Sequence, residues 1–165
     1  MTNASLSRLF LVFLAFVVIL YGAYVRLTDA GLGCPDWPGC YGKLVVSELD
    51  DPNFSFAPGT DDGKAYREMV HRYLAGILGL GIFGLFIHYW VNEGKRTLFS
   101  SETILLPMVL FQAFLGLLTV TMLLKPLIVT GHLIGGFMTL SLLWWSFLRN
   151  NFELAHETST PPYYR

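Results

Sequence analysis

Pro126-Leu-Ile-Val-Thr-Gly-His132-Leu-Ile-Gly-Gly-Phe-Met-Thr-Leu-Ser-Leu-Leu-Trp-Trp-Ser-Phe-Leu148 runs for 23 residues without an Asp, Glu, Lys or Arg. With a rise of about 1.5 Å per residue, a helix of that length crosses the roughly 30 Å hydrocarbon core of a bilayer. Upstream lie three more charge-free runs: Thr103–Leu124 with 22 residues, Tyr73–Asn92 with 20 and Leu9–Val25 with 17. The first two of these span outright and the third nearly does. Together the four runs take up 82 of 165 residues. With 53% hydrophobic residues, 14% charged residues and a mean hydropathy of +0.51, the chain is neither disordered nor composed like a soluble globule. The fold expected is an all-α integral membrane protein. It is a single bundle of four transmembrane helices over 1–148, with spans at about 9–25, 73–92, 103–124 and 126–148.

A cleaved leader would place small residues after a shorter apolar core. Here Leu9–Val25 ends in Tyr21-Gly-Ala-Tyr-Val25 before Arg26, so the first run is read as a retained helix. The net charge of −1 is a sum over two aqueous sides, and no basic block points to nucleic acid. Four spans put both termini on one side. The connections are unequal: a long loop over 26–72, a short one around Glu93–Glu102 and a tight turn at Lys125-Pro126. Lys95-Arg96 in the short loop and Arg149 directly after a span resemble cytoplasmic flanks. Cys34 and Cys40, the only cysteines, lie in a Pro- and Gly-rich segment of the long loop, and such pairs persist as disulfides in oxidising compartments. Both termini are therefore expected in the cytoplasm and the loop on the extracytoplasmic side of the inner membrane. The polar tail 149–165 is expected to fray in the cytoplasm.

Of four histidines, His156 lies in the tail and His88 near the inner end of a span. His71 lies at the outer start of the second span and His132 about two turns into the fourth, which also starts on the outer side, so the two are expected at similar depth. Residues three, four, seven and eight apart share a helix face. His71 is thus followed on its face by Ala75 and Gly79, and His132 by Gly135, Gly136 and Thr139. A flat macrocycle held between helices needs such small residues and takes imidazole as its axial iron ligand, so a haem suits the pattern. Small residues and an intramembrane histidine also suit plain helix packing.

Glu68 precedes His71 by one turn, either as a proton-handling group at the pocket rim or as a solvated helix-start acid. Arg26, Arg67 and Arg72 gather at the same face and suit haem propionates or lipid phosphates. A Cys34–Cys40 bridge would staple the loop over the bundle mouth, in a structural or a redox role. Gln112, Gly116 and Thr119 share a face of the third span and are accounted for as contacts between helices.

At these residues the sequence resembles the haem A synthases. The matching stretches are Tyr24-Val-Arg-Leu-Thr-Asp-Ala-Gly-Leu-Gly-Cys-Pro-Asp-Trp-Pro-Gly-Cys-Tyr-Gly42, Glu68-Met-Val-His-Arg-Tyr-Leu-Ala-Gly76, Gln112-Ala-Phe-Leu-Gly-Leu-Leu-Thr-Val120 and Pro126-Leu-Ile-Val-Thr-Gly-His-Leu-Ile-Gly-Gly136. They stand in family order and cover nearly the whole chain.

The resemblance implies a four-helix bundle with His71 and His132 as the haem-iron ligands, Glu68 as the essential carboxylate and Cys34–Cys40 as a disulfide. The reaction it implies converts the C8 methyl of haem O to a formyl group, giving haem A for cytochrome oxidase biogenesis. Arg26 and Arg72 are assigned to cofactor binding. Typical members have eight spans in two similar halves, the second carrying haem b, and this sequence resembles the first half. A homodimer would rebuild the eight-helix arrangement. Haem O synthase and oxidase assembly factors are the other partners implied. The alternative is a bis-histidine haem-binding membrane protein or assembly factor without catalysis.

Overall fold

A computed structural model describes residues 3–45, 54–92 and 100–159. Among them are four helices: α1 (Asn3–Leu27), α2 (Asp62–Asn92), α3 (Ser101–Thr121) and α4 (Pro126–Ser159). Each contains a stretch long and apolar enough to cross a membrane, and the chain is a multi-pass membrane protein. The helices pack as a ring, α1 against α2, α2 against α3, α3 against α4 and α4 against α1. The pairs α1/α3 and α2/α4 therefore face each other across the diagonals. Leu11, Leu14, Ala15, Leu78, Ile82, Leu85, Leu105 and Leu143 form the central core. Phe10, Phe13, Leu80, Phe111 and Trp145 point outward and are exposed, the inverse of a water-soluble bundle and the expected face toward lipid chains.

Local chemistry fixes the helix ends. Ser100 caps α3, its hydroxyl accepting the Thr103 N–H at 3.2 Å. Past Thr121 the chain reverses through Leu123 and Leu124 in left-handed conformation, with the Leu124 N–H reaching back to the Thr119 carbonyl at 2.8 Å. Pro126 then opens α4, where its missing N–H leaves nothing unpaired.

α1, α2 and α4 overrun their charge-free runs, since paired charged residues enter them, whereas α3 ends at Thr121, three residues short of the expected 124. α2 starts at Asp62, about three turns before Tyr73. Residues 149–159, expected as a frayed tail, continue α4 instead. Near that end the Asn151 side chain accepts from the Ser5 hydroxyl at 2.7 Å and donates to the Phe147 carbonyl at 2.8 Å, tying α4 to α1. Lys95 and Arg96, used above to orient the chain, lie outside the described residues.

Candidate functional site

The segment between α1 and α2 folds onto the first turns of α2. Cys34 and Cys40 are joined in a disulfide with their Cα atoms 4.8 Å apart. Both are buried with Ala65 and Met69 of α2, and Tyr41, Phe54 and Phe56 close the cluster through edge-on ring contacts. Gly33 permits this docking, since a methyl group there would lie 2.6 Å from the Lys64 carbonyl carbon. Asp36 accepts the N–H groups of Tyr41 and Gly42 at 2.6 and 2.7 Å, and the Tyr73 hydroxyl donates to the Leu44 carbonyl at 2.6 Å.

Glu68 and Arg72, one turn apart on α2, hold this loop from beneath. The Glu68 carboxylate, 5% exposed, accepts the Cys34 N–H at 3.0 Å and pairs with the Arg72 guanidinium. Arg72 in turn donates to the carbonyls of Asp36 at 2.8 Å, Pro38 at 3.2 Å and Gly39. The expectation of Arg72 at haem propionates is revised accordingly: its guanidinium is committed to the loop and to Glu68. Arg26 is also drawn elsewhere, pairing at 3.7 Å with Asp29 on the exposed surface. Arg67 is different. It stands one turn from His71 on α2, and its Nε is buried without a hydrogen-bond partner.

His71 and His132 lie on the diagonally opposed helices α2 and α4, close enough to interact electrostatically. Each leans on a glycine of the adjacent helix. A methyl at Gly22 of α1 would lie 2.8 Å from His71 Cε1, and one at Gly116 of α3 would lie 3.6 Å from His132 Cε1. Both rings are half-buried, and neither Nδ1 has a hydrogen-bond partner. Buried polar atoms are nearly always paired, so two imidazoles each with an unpaired Nδ1 form an arrangement suited to axial ligation of a tetrapyrrole.

The small residues beneath the histidines do not form the open slot expected of them. Gly79 meets Val109, Gly136 meets Ile19 and Gly135 is covered by the Gln112 side chain. The missing Cβ atoms let neighbouring helices approach closely. Thr119, expected to join helices, donates instead to the Gly116 carbonyl of its own helix at 2.7 Å, and Thr139 of the His132 face donates likewise to Gly135 at 2.9 Å. Gln112 does meet α4, lying against Gly135, but its Nε2 is buried without a hydrogen-bond partner.

A second polar cluster, at the end of the bundle holding the termini, escaped sequence reasoning. Glu102 of α3, 1% exposed, accepts from Arg8 Nη2 at 3.3 Å, Ser146 at 2.7 Å, Ser101 at 3.0 Å and Arg149 at 3.4 Å. Arg8, 2% exposed, also donates to Ser146 at 3.1 Å and to the Ala4 carbonyl at 3.2 Å. The one available signal was a single charge just beyond each of three apolar runs, Arg8 and Arg149 positive and Glu102 negative.

The family model described as cytochrome oxidase assembly protein matches residues 7–163. A protein of Shewanella oneidensis named heme A synthase is 44% identical over 153 residues, covering 87% of this chain and 44% of that protein. One of the same name from Shouchella clausii is 32% identical over 151 residues, covering 88% of this chain and 43% of its own length. A Thermus thermophilus protein named protoheme IX farnesyltransferase is 32% identical over 72 residues, or 43% of this chain and 10% of that protein. The chain spans less than half the length of these relatives. No solved structure gives a significant match.

Proposed function

The chain belongs to the haem A synthase family of cytochrome oxidase assembly proteins, and from that premise we propose that it oxidises the C8 methyl of haem O to the formyl group of haem A. The observation that carries the proposal is the pair His71 and His132, two half-buried imidazoles close enough to interact electrostatically, each with an unpaired Nδ1. They hold the tetrapyrrole, whose iron supplies the redox chemistry when bound. Arg67, one turn nearer the loop with its Nε unpaired, takes a propionate in place of Arg26 and Arg72. The loop stapled by Cys34–Cys40 closes that end of the bundle over the tetrapyrrole.

Glu68 sets its carboxylate one turn from His71, where it stabilises positive charge developing at the methyl carbon or takes up its proton. We assign the chain to the inner membrane with both termini cytoplasmic, working as a homodimer that receives haem O from its synthase.

A second assignment is favoured by one observation: Glu68 is already bound by Arg72 and the Cys34 N–H. On that basis Glu68 anchors the loop, and the chain is a non-catalytic bis-histidine haem protein, holding haem b or passing haem to the oxidase. Glu68→Gln separates the two, since it keeps an acceptor for the Cys34 N–H while removing the charge. After expression with a haem O source, the variant is expected to keep extractable haem O and to yield no haem A. Haem A at the unaltered level would remove Glu68 from the chemistry. Haem b alone in the unaltered protein would favour the non-catalytic assignment.

A further inference from the structure

Gln112 sits at mid-depth in α3 and is 9% exposed. Its Nε2 is buried without a partner, although its backbone lies beside the His132 ring. The amide lies over Gly135, one turn from His132 on α4, and a methyl on that glycine would lie 1.8 Å from Nε2 itself. The missing Cβ of Gly135 thus seats the amide itself, a donor that no protein group uses. A buried N–H left unpaired bears the full penalty of its desolvation, and a packing role is served as well by leucine. We propose that this amide is a specificity-determining contact for the substrate, donating a hydrogen bond to the hydroxyl of the hydroxyethylfarnesyl group that haem O carries where haem b has a vinyl. This rests on the haem O assignment above.

Depth and charge select that oxygen. Arg67 lies four residues from His71 on the loop side. His71 packs on Gly22 of α1, and three residues deeper Ile19 packs on Gly136, next to Gly135. Along the bundle axis Arg67 and the Gln112 amide are thus about 10 Å apart, comparable to the width of a tetrapyrrole. With its propionates toward the arginine, a haem turns its opposite edge, which bears the hydroxyethylfarnesyl substituent, toward Gln112. A neutral amide suits a neutral hydroxyl there, whereas a buried carboxylate would require a cation.

The test titrates the full-length chain, purified in detergent without haem, with haem O and separately with haem b, following Soret absorbance. The unaltered chain is expected to bind haem O at least about tenfold more tightly than haem b, because haem b leaves the buried donor unpaired. Gln112→Leu is expected to bind the two with equal affinity, and Gln112→Asn, whose amide falls short, to do the same should the leucine variant fail to accumulate. Tenfold selectivity retained in either variant overturns the assignment of Gln112 while leaving the haem site standing. An unaltered chain that binds neither tetrapyrrole overturns the haem O assignment, and the inference with it.

Discussion

The two ends of the bundle both bury charge, yet they treat their polar groups in opposite ways. At the terminal end Glu102 receives four side-chain donors, so that Arg8, Ser101, Ser146 and Arg149 converge on a single carboxylate. At the loop end Glu68 and Arg72 are likewise committed, but the layer directly beneath holds Nδ1 of His71, Nδ1 of His132 and Nε2 of Gln112 without partners. The groups converging on Glu102 are paired with one another and fix the helices, although Asn150 Nδ2 at the same end is buried without a partner. An incompletely paired layer keeps its donors and acceptors for something that binds. The contrast assigns stability to one end and recognition to the other.

Breaking the paired end is expected to have the largest effect. Glu102→Ala leaves Arg8 buried without its counter-ion and is expected to cost about 3–5 kcal/mol, read as a large fall in the unfolding temperature in detergent. The double variant Arg8→Met with Glu102→Leu removes both charges and is expected to recover most of that loss. A double variant as unstable as Glu102→Ala would show that the network holds the helices by more than pairing.

Arg72→Ala removes the charge-assisted bonds to three loop carbonyls and is expected to cost about 2–3 kcal/mol, mainly in docking of the loop. Limited proteolysis within the Cys34–Cys40 segment should accelerate while bound haem is retained. Haem lost together with the loop would return Arg72 to the binding site.

Crowding one histidine probes the unpaired layer more gently. Gly22→Ala places a methyl against the His71 ring, a strain of about 1–2 kcal/mol that the imidazole relieves by turning. The expected result is a shifted Soret band with little change in helix content, and an unshifted band would argue against His71 as a ligand. Arg26→Ala is the smallest perturbation. Its exposed pair with Asp29 is expected to contribute within about 0.5 kcal/mol, and haem content should not change.

Much of the fold was legible in the residues because bilayer thickness imposes a length and an absence of charge, and both are countable in a sequence. Four runs stood out, and His71 and His132 were picked as a pair because they share a depth that topology alone provides. The helix ends were misjudged for the same reason that the runs were visible. Arg8, Glu102 and Arg149 stop a charge-free count, but they do not stop a helix once they neutralise one another.

Composition and periodicity thus determined the four-helix membrane bundle, the loop bearing the cysteine pair and the level at which the histidines lie. Tertiary structure decided how the charges are used. It took Arg72 for the loop carbonyls and Arg26 for the surface, left Arg67 one turn from His71, and seated Gln112 on Gly135 with its amide unclaimed. These outcomes depend on which donor meets which acceptor between helices distant in sequence, and a hydrogen bond's partner is set by a few tenths of an ångström of packing that no single helix encodes.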